Sequence, residues 1–128
     1  MNILQQQIWD KWAASPKTPV ILISGPYTHG AKNAQDRNKN LRRLNETALA
    51  VFEKGYLPVV AINLALPLVL INKDVEGRIM MPMALAIAAR CDCALRVGGP
   101  SSGADDEIAL MKSLGKPVYY GFDDLPAI

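Results

Sequence analysis

The sequence predicts a single-domain α/β fold, a doubly wound parallel sheet of four to five strands with helices on both faces. Three observations carry this. Short β-branched-rich runs alternate with longer stretches of helical periodicity. Those short runs are apolar throughout rather than alternating, as strands covered on both faces are. With 128 residues, 50% of them apolar, the chain can fill one core but not two.

In chain order, Ile3 or Leu4, Ile8 and Trp12 recur at helical spacing ahead of the breaks at Ser15-Pro16 and Pro19. Residues 1–18 therefore read as an amphipathic helical appendage docked on the domain that spans 19–128. Val20 to Ile23 is the first core strand, stopped by Ser24-Gly25-Pro26. From Asn33 to Lys54 the residues Leu41, Leu44, Ala48, Val51 and Phe52 share one helical face, and Gly55 supplies the stop. Tyr56 to Ile62 reads as a second strand, with Pro58 near its start or at an edge. Asn63 to Arg78 reads as a short helix broken at Pro67, followed by a loop around Asn72 to Gly77. Ile79 to Arg90 is apolar almost all round, a helix covered on most sides and a candidate subunit interface. Cys91 to Val97 is a third strand, Ser102 to Leu114 a helix closed by Gly115, and Pro117 to Tyr120 a fourth strand.

Such βαβ units place Rossmann- or flavodoxin-like ligand sites beyond the carboxyl ends of the strands. Ser24 to Gly30, Ile62 to Asn63 and Gly98 to Glu107 are expected there. A formal net charge of +2 is too small for a nucleic-acid footprint, and the basic cluster Arg37, Lys39, Arg42 and Arg43 reads as a solvated helix face. Cys91 and Cys93 would point to opposite faces of a strand, as buried thiols in a reducing cytoplasm rather than a disulfide. Met1 to Pro19 has no long apolar run, so neither a secretory signal nor a membrane anchor is expected.

The strand-to-helix turn Gly98-Gly99-Pro100-Ser101-Ser102-Gly103 presents backbone N–H groups that favour an anion. Ser102 followed by Asp105 is also close to a capping box and needs no ligand to explain it. Glu107 lies inside the buried arc marked by Ile108, Leu110, Met111 and Leu114, while Asp105 and Asp106 take the opposite side. An inward-pointing acid at the crevice end of a helix is expected to have a raised pKa, the usual state of a catalytic carboxylate. Pairing with an arginine or with loop N–H groups is the structural alternative. Gly25-Pro26-Tyr27-Thr28-His29-Gly30 bounds the same crevice, with Tyr27 suited to stacking on a planar group. His29 is the only histidine, and no Walker-type lysine follows the glycines. Neither a metal, a cofactor nor an ATPase site is expected.

These residues resemble the nucleoside 2-deoxyribosyltransferase superfamily, which includes the 2′-deoxynucleoside 5′-phosphate N-hydrolases. The resemblance runs from about Val20 to Tyr120. It is carried by the strand ending in Ser24-Gly25-Pro26, by the Gly55-bounded second strand and by Arg90-Cys91-Asp92. Most specific is Ser101-x-Gly103-x-x-x-Glu107 leading to Leu114-Gly115-Lys116-Pro117-Val118. It implies a glutamate nucleophile at Glu107 and cleavage or transfer of the N-glycosidic bond of a nucleoside or nucleoside 5′-monophosphate. It further implies phosphate held by Ser101, Ser102 and Gly103, with base and sugar framed by Gly25, Pro26, Tyr27 and Asn63. A homodimer or higher homo-oligomer is implied as well. Where that family has a strand tyrosine and a helix aspartate, this chain has Leu22 and Ala84. Tyr27, Asn63 and Asp74 are the candidates to replace them, and a nucleotide-binding or sensor module without catalysis is the alternative function. A looser similarity, to the cytokinin-activating phosphoribohydrolases, rests on the glycine-rich run that ends at Glu107.

Overall fold

The computed structural model describes residues 1–13 and 18–128. Its sheet has four parallel strands in the order β2-β1-β3-β4, where β1 is Val20–Ser24, β2 Leu57–Val59, β3 Cys93–Arg96 and β4 Val118–Tyr119. Five helices accompany them: α1 (Ile3–Ala13), α2 (Ala34–Glu53), α3 (Ala61–Ile71), α4 (Glu76–Ala88) and α5 (Ser102–Ser113). The chain winds from β1 through α2 to β2 at one edge, then crosses back through α3 and α4 to β3 and through α5 to β4. This is the single-domain Rossmann-like α/β arrangement, and its direction reverses between β1 and β3.

The alternation of β1 side chains explains the two cores. Ile21 and Ile23 face α2 with Leu44, Val51 and Tyr56, while Leu22 faces α4 and α5 with Ala88, Ile108 and Met111. Asn33 opens α2, its side chain accepting from the Asp36 N–H at 2.9 Å. Gly55 follows α2 in the left-handed region at φ 107° and Gly115 follows α5 at φ 71°, as the stop signals predict.

Several elements depart from the expectations. The second strand is only Leu57–Val59, because Ala61, Ala65 and Val69 bury at helical spacing and the chain enters α3 at Ala61. A short apolar run does not separate strand from buried helix. Pro67 does not break α3, nor Pro82 α4. Both prolines are exposed, so the carbonyl each leaves unpaired is on the water side. The expected loop from Asn72 to Gly77 is a 3-10 turn at Lys73–Val75 running into α4. Phe52 and Leu114 are 50% and 48% exposed rather than buried, each sitting at the end of its helix. Ile3, Leu4 and Ile8 of α1 are exposed. The reading of the Trp12 side chain and of the break at Ser15-Pro16 lies outside the described residues. No helix among the described residues is long and apolar enough to cross a membrane.

Two side chains tie the amino-terminal edge of the sheet. Asp92 Oδ2 accepts from the Val20 N–H at 2.8 Å, and Lys116 Nζ donates to the Ala89 and Cys91 carbonyls where α4 ends. Both act at the end of the sheet away from the ligand crevice. Lys116→Met removes two charge-assisted hydrogen bonds and leaves two partly buried carbonyls. It is expected to lower unfolding stability by about 2 kcal/mol in a denaturant titration.

Candidate active site

Over the carboxyl end of β1 lies a cavity of about 350 Å³, at the lower end of the range for small-molecule sites. It sits where the winding reverses, between Leu44 of α2 on one side and α4 and α5 on the other, with Ala61, Ile62 and Ala65 of α3 as a third wall. Six of the eight residues singled out by sequence line it: Glu107, Ser101, Ser102, Gly103, Gly25 and Tyr27. Pro26 and Asn63 do not. Pro26 packs where a Gly98 Cβ would stand, 2.8 Å from its Cδ. Asn63 turns outward and exchanges side-chain hydrogen bonds with Asn45 of α2 at 2.6 and 3.3 Å, because the first turn of α3 points its buried face elsewhere.

Two loops form the mouth, and glycines let them touch. A Cβ on Gly25 would lie 2.7 Å from the Val97 carbonyl oxygen and 2.9 Å from Leu44 Cδ2, so only glycine brings the β1 loop against the end of β3. Asn40 of α2 holds the other side of that loop, donating to the Tyr27 carbonyl at 2.7 Å. Thr28 and His29 are exposed on the loop and also face the cavity.

On the opposite loop the helix cap is Ser101, one residue earlier than expected. Its hydroxyl oxygen accepts from the Ala104 N–H at 3.2 Å, and its own proton is left to donate. Ser102 is exposed at the first helical position. Asp105 and Asp106 are exposed on the outer side, as the helical wheel predicts.

Glu107 stands one turn further along α5, half-buried between the buried Ala104 and Ile108 and open to the cavity. Burial pushes its carboxyl up to about 7, against the pull of the Arg96 guanidinium and a hydrogen bond from the Ser24 side chain, while Asp106 adds to the rise. Among the described residues the buried polar side chains are Ser24 and Ser101, both at this end of the sheet. Ser24 Oγ also donates to the Ala104 carbonyl at 3.4 Å.

Sequence reasoning placed Ser24 in a crevice segment without giving it a role, and missed Arg96 and Glu76. Ser24 occupies the same face of β1 as Leu22, one pleat nearer the crevice, and its side chain hydrogen-bonds Glu107. The alternation within Val20–Ser24 was the available signal. Arg96, only 10% exposed, donates to the Val97 carbonyl and to the Gly99 carbonyl at 2.8 Å, and meets Asp105 Oδ1 at 3.4 Å. It ties the turn together from below while lending positive potential to Glu107. Glu76, at the start of α4, lines the cavity rim and is exposed, although the sequence placed it in a loop. Asp74 stays on the exposed 3-10 turn and does not line the cavity. Among the described residues no cluster of His, Cys, Asp and Glu is arranged to hold a metal ion. Compared with protein-family models, with curated proteins and with solved structures, the chain finds no match.

Proposed function

We propose that this protein cleaves or transfers the N-glycosidic bond of a nucleoside or nucleoside 5′-monophosphate, with Glu107 as the nucleophile. The observation that carries the reading is a half-buried carboxyl, its pKa raised to about 7 by burial, that lines the cavity at the switch point and accepts a hydrogen bond from the Ser24 side chain. In the reaction, a carboxylate oxygen of Glu107 bonds to the anomeric carbon. The carbon–nitrogen bond breaks, and its electron pair leaves with the base, which takes a proton from solvent. Water then attacks the glycosyl ester, releasing the sugar and restoring the carboxylate; a second base in place of water gives transfer. The hydroxyl protons of Ser101 and Ser102 and the N–H of Gly103 serve the sugar's 5′ end, and Tyr27 supplies a face for the base.

Incubation with nucleosides and nucleotides, followed by chromatography for free base, tests this directly. Base release with wild-type protein and none with Glu107→Ala supports the assignment; equal release from both rejects it. A second reading, a binding or sensor module without catalysis, is favoured by one observation: Ala84 is 8% exposed in the cavity wall and gives the sugar no polar partner there. Thermal stabilisation by a ligand that is recovered intact would select it.

Homo-oligomerisation in the cytoplasm belongs to the same proposal, but its surface moves. Exposed apolar side chains gather on α3 at Leu64, Leu68, Leu70 and Ile71, whereas α4 packs between α3 and α5. The double variant Leu64→Glu, Leu68→Glu is expected to be monomeric by light scattering where the wild type is a dimer or larger.

A further inference from the structure

One stripe of α4 runs from the core to the mouth of the cavity. Ala88 is buried against the sheet, Ala84 and Met80 line the cavity, and Glu76 ends the series at the rim. Eight residues of helix place Glu76 about 12 Å beyond Ala84. The turn before α5 is close by, since Met81 Sδ lies 3.4 Å from where a Gly103 Cβ would stand, about 7.5 Å of helix rise from Glu76.

That turn is where a phosphate would be sought, and its surroundings are acidic. Glu76 and Glu107 line the cavity, and Asp105 and Asp106 occupy the first turns of α5, opposing the positive end of its dipole. Among the described residues no lysine or arginine lines the cavity, and the exposed His29 is the one titratable base that does. Arg96, the nearest guanidinium to Glu107, is spent on the Val97 and Gly99 carbonyls and Asp105. A phosphate dianion at the turn would thus share the cavity with carboxylates and no lining cation to offset them. A 5′-hydroxyl meets no such opposition, and Ser102, Gly103 and the Ser101 hydroxyl suffice for it.

We propose that Glu76 is a specificity-determining residue that turns phosphorylated ligands away, so that the cavity takes an uncharged nucleoside in preference to its 5′-monophosphate. This rests on the nucleoside reading above and narrows it. Glu76 recognises no reacting atom; it sets the sign of the potential at the rim.

Calorimetric titration with the four 2′-deoxynucleosides and their 5′-monophosphates tests the preference, with Glu107→Gln as the common background so that no ligand is consumed. With Glu76 in place the best nucleoside is expected to bind at least about tenfold tighter than its monophosphate, and the ratio should shrink as salt is raised. Glu76→Gln should bring the two within about threefold and Glu76→Lys should invert them. Glu76 is exposed on the first turn of α4, so neither change endangers folding. A monophosphate that binds as tightly as its nucleoside, or a ratio that ignores Glu76→Lys, overturns the proposal, as does absence of binding by both ligand sets. Nucleoside binding with the stated ratio, but no base released by wild-type protein, overturns the enzymatic reading while leaving this selectivity standing. Base release that favours monophosphates does the reverse.

Discussion

Glu107→Gln is expected to lower base release by roughly a thousandfold or more, since removing a nucleophile leaves only binding and positioning to act. The wild-type pH profile should identify the protonation state that works. A carboxyl with a pKa of about 7 that acts as nucleophile must be ionised, so kcat/KM should rise with an inflection near pH 7. A rate that falls through the same region would instead make Glu107 a general acid. The same shift has a consequence for stability with its own sign. The folded-state pKa is raised from 4.5 to about 7, so between those values the folded protein holds more protons than the unfolded chain and stability falls as pH rises. The loss is absent below about 4.5 and complete above about 7. Glu107→Gln has no such titration. The variant should therefore match the wild type at pH 4 and exceed it by about 2 kcal/mol at pH 8, after allowance for screening by water in the open cavity. Denaturant titrations at the two pH values measure the difference. An advantage that is equal at both would mean the carboxyl is not the titrating group.

Gly25→Ala should be the most damaging of the small substitutions. The added methyl would meet the Val97 carbonyl oxygen at 2.7 Å and Leu44 Cδ2 at 2.9 Å, and the carbonyl belongs to backbone held by Arg96. Overpacking at that contact is expected to destabilise by about 3 kcal/mol. It also separates the β1 loop from the end of β3, moving Tyr27 relative to Ser101 and Glu107. A misplacement of about 1 Å is enough for a hundredfold loss of activity. Gly99→Ala is the control, because a Cβ there meets nothing within 4 Å. It should leave both stability and base release near wild type. Equal effects at Gly25 and Gly99 would show that loop composition, not the contact with Val97, is what matters.

Periodicity and turn chemistry by themselves determined the parallel α/β class, β1, α2 with its Asn33 start and Gly55 stop, and the α5 helix with Glu107 on its inner face. These features are local: a β-branched run, an N-cap and a positive-φ glycine act within a few residues. The boundary between β2 and α3 was not legible, because Tyr56 to Val69 is apolar enough for either structure and only packing of Ala61, Ala65 and Val69 selects the helix. For the same reason Asn63, assigned to the crevice as a strand end, became the second residue after a helix start and turned toward Asn45. The cap passed from Ser102 to Ser101 for a related reason: both residues suit the position, and the backbone direction leaving β3 chooses between them. Tertiary structure alone decided which residues meet Glu107. Ser24 and Arg96 come from two strands far apart in the chain and act on its carboxyl, while Glu76, at a helix start, reaches only the cavity rim. The raised pKa belongs to this last class, since it is the local balance of burial against Arg96 and Ser24, a quantity with no counterpart in the spacing of residues along the chain.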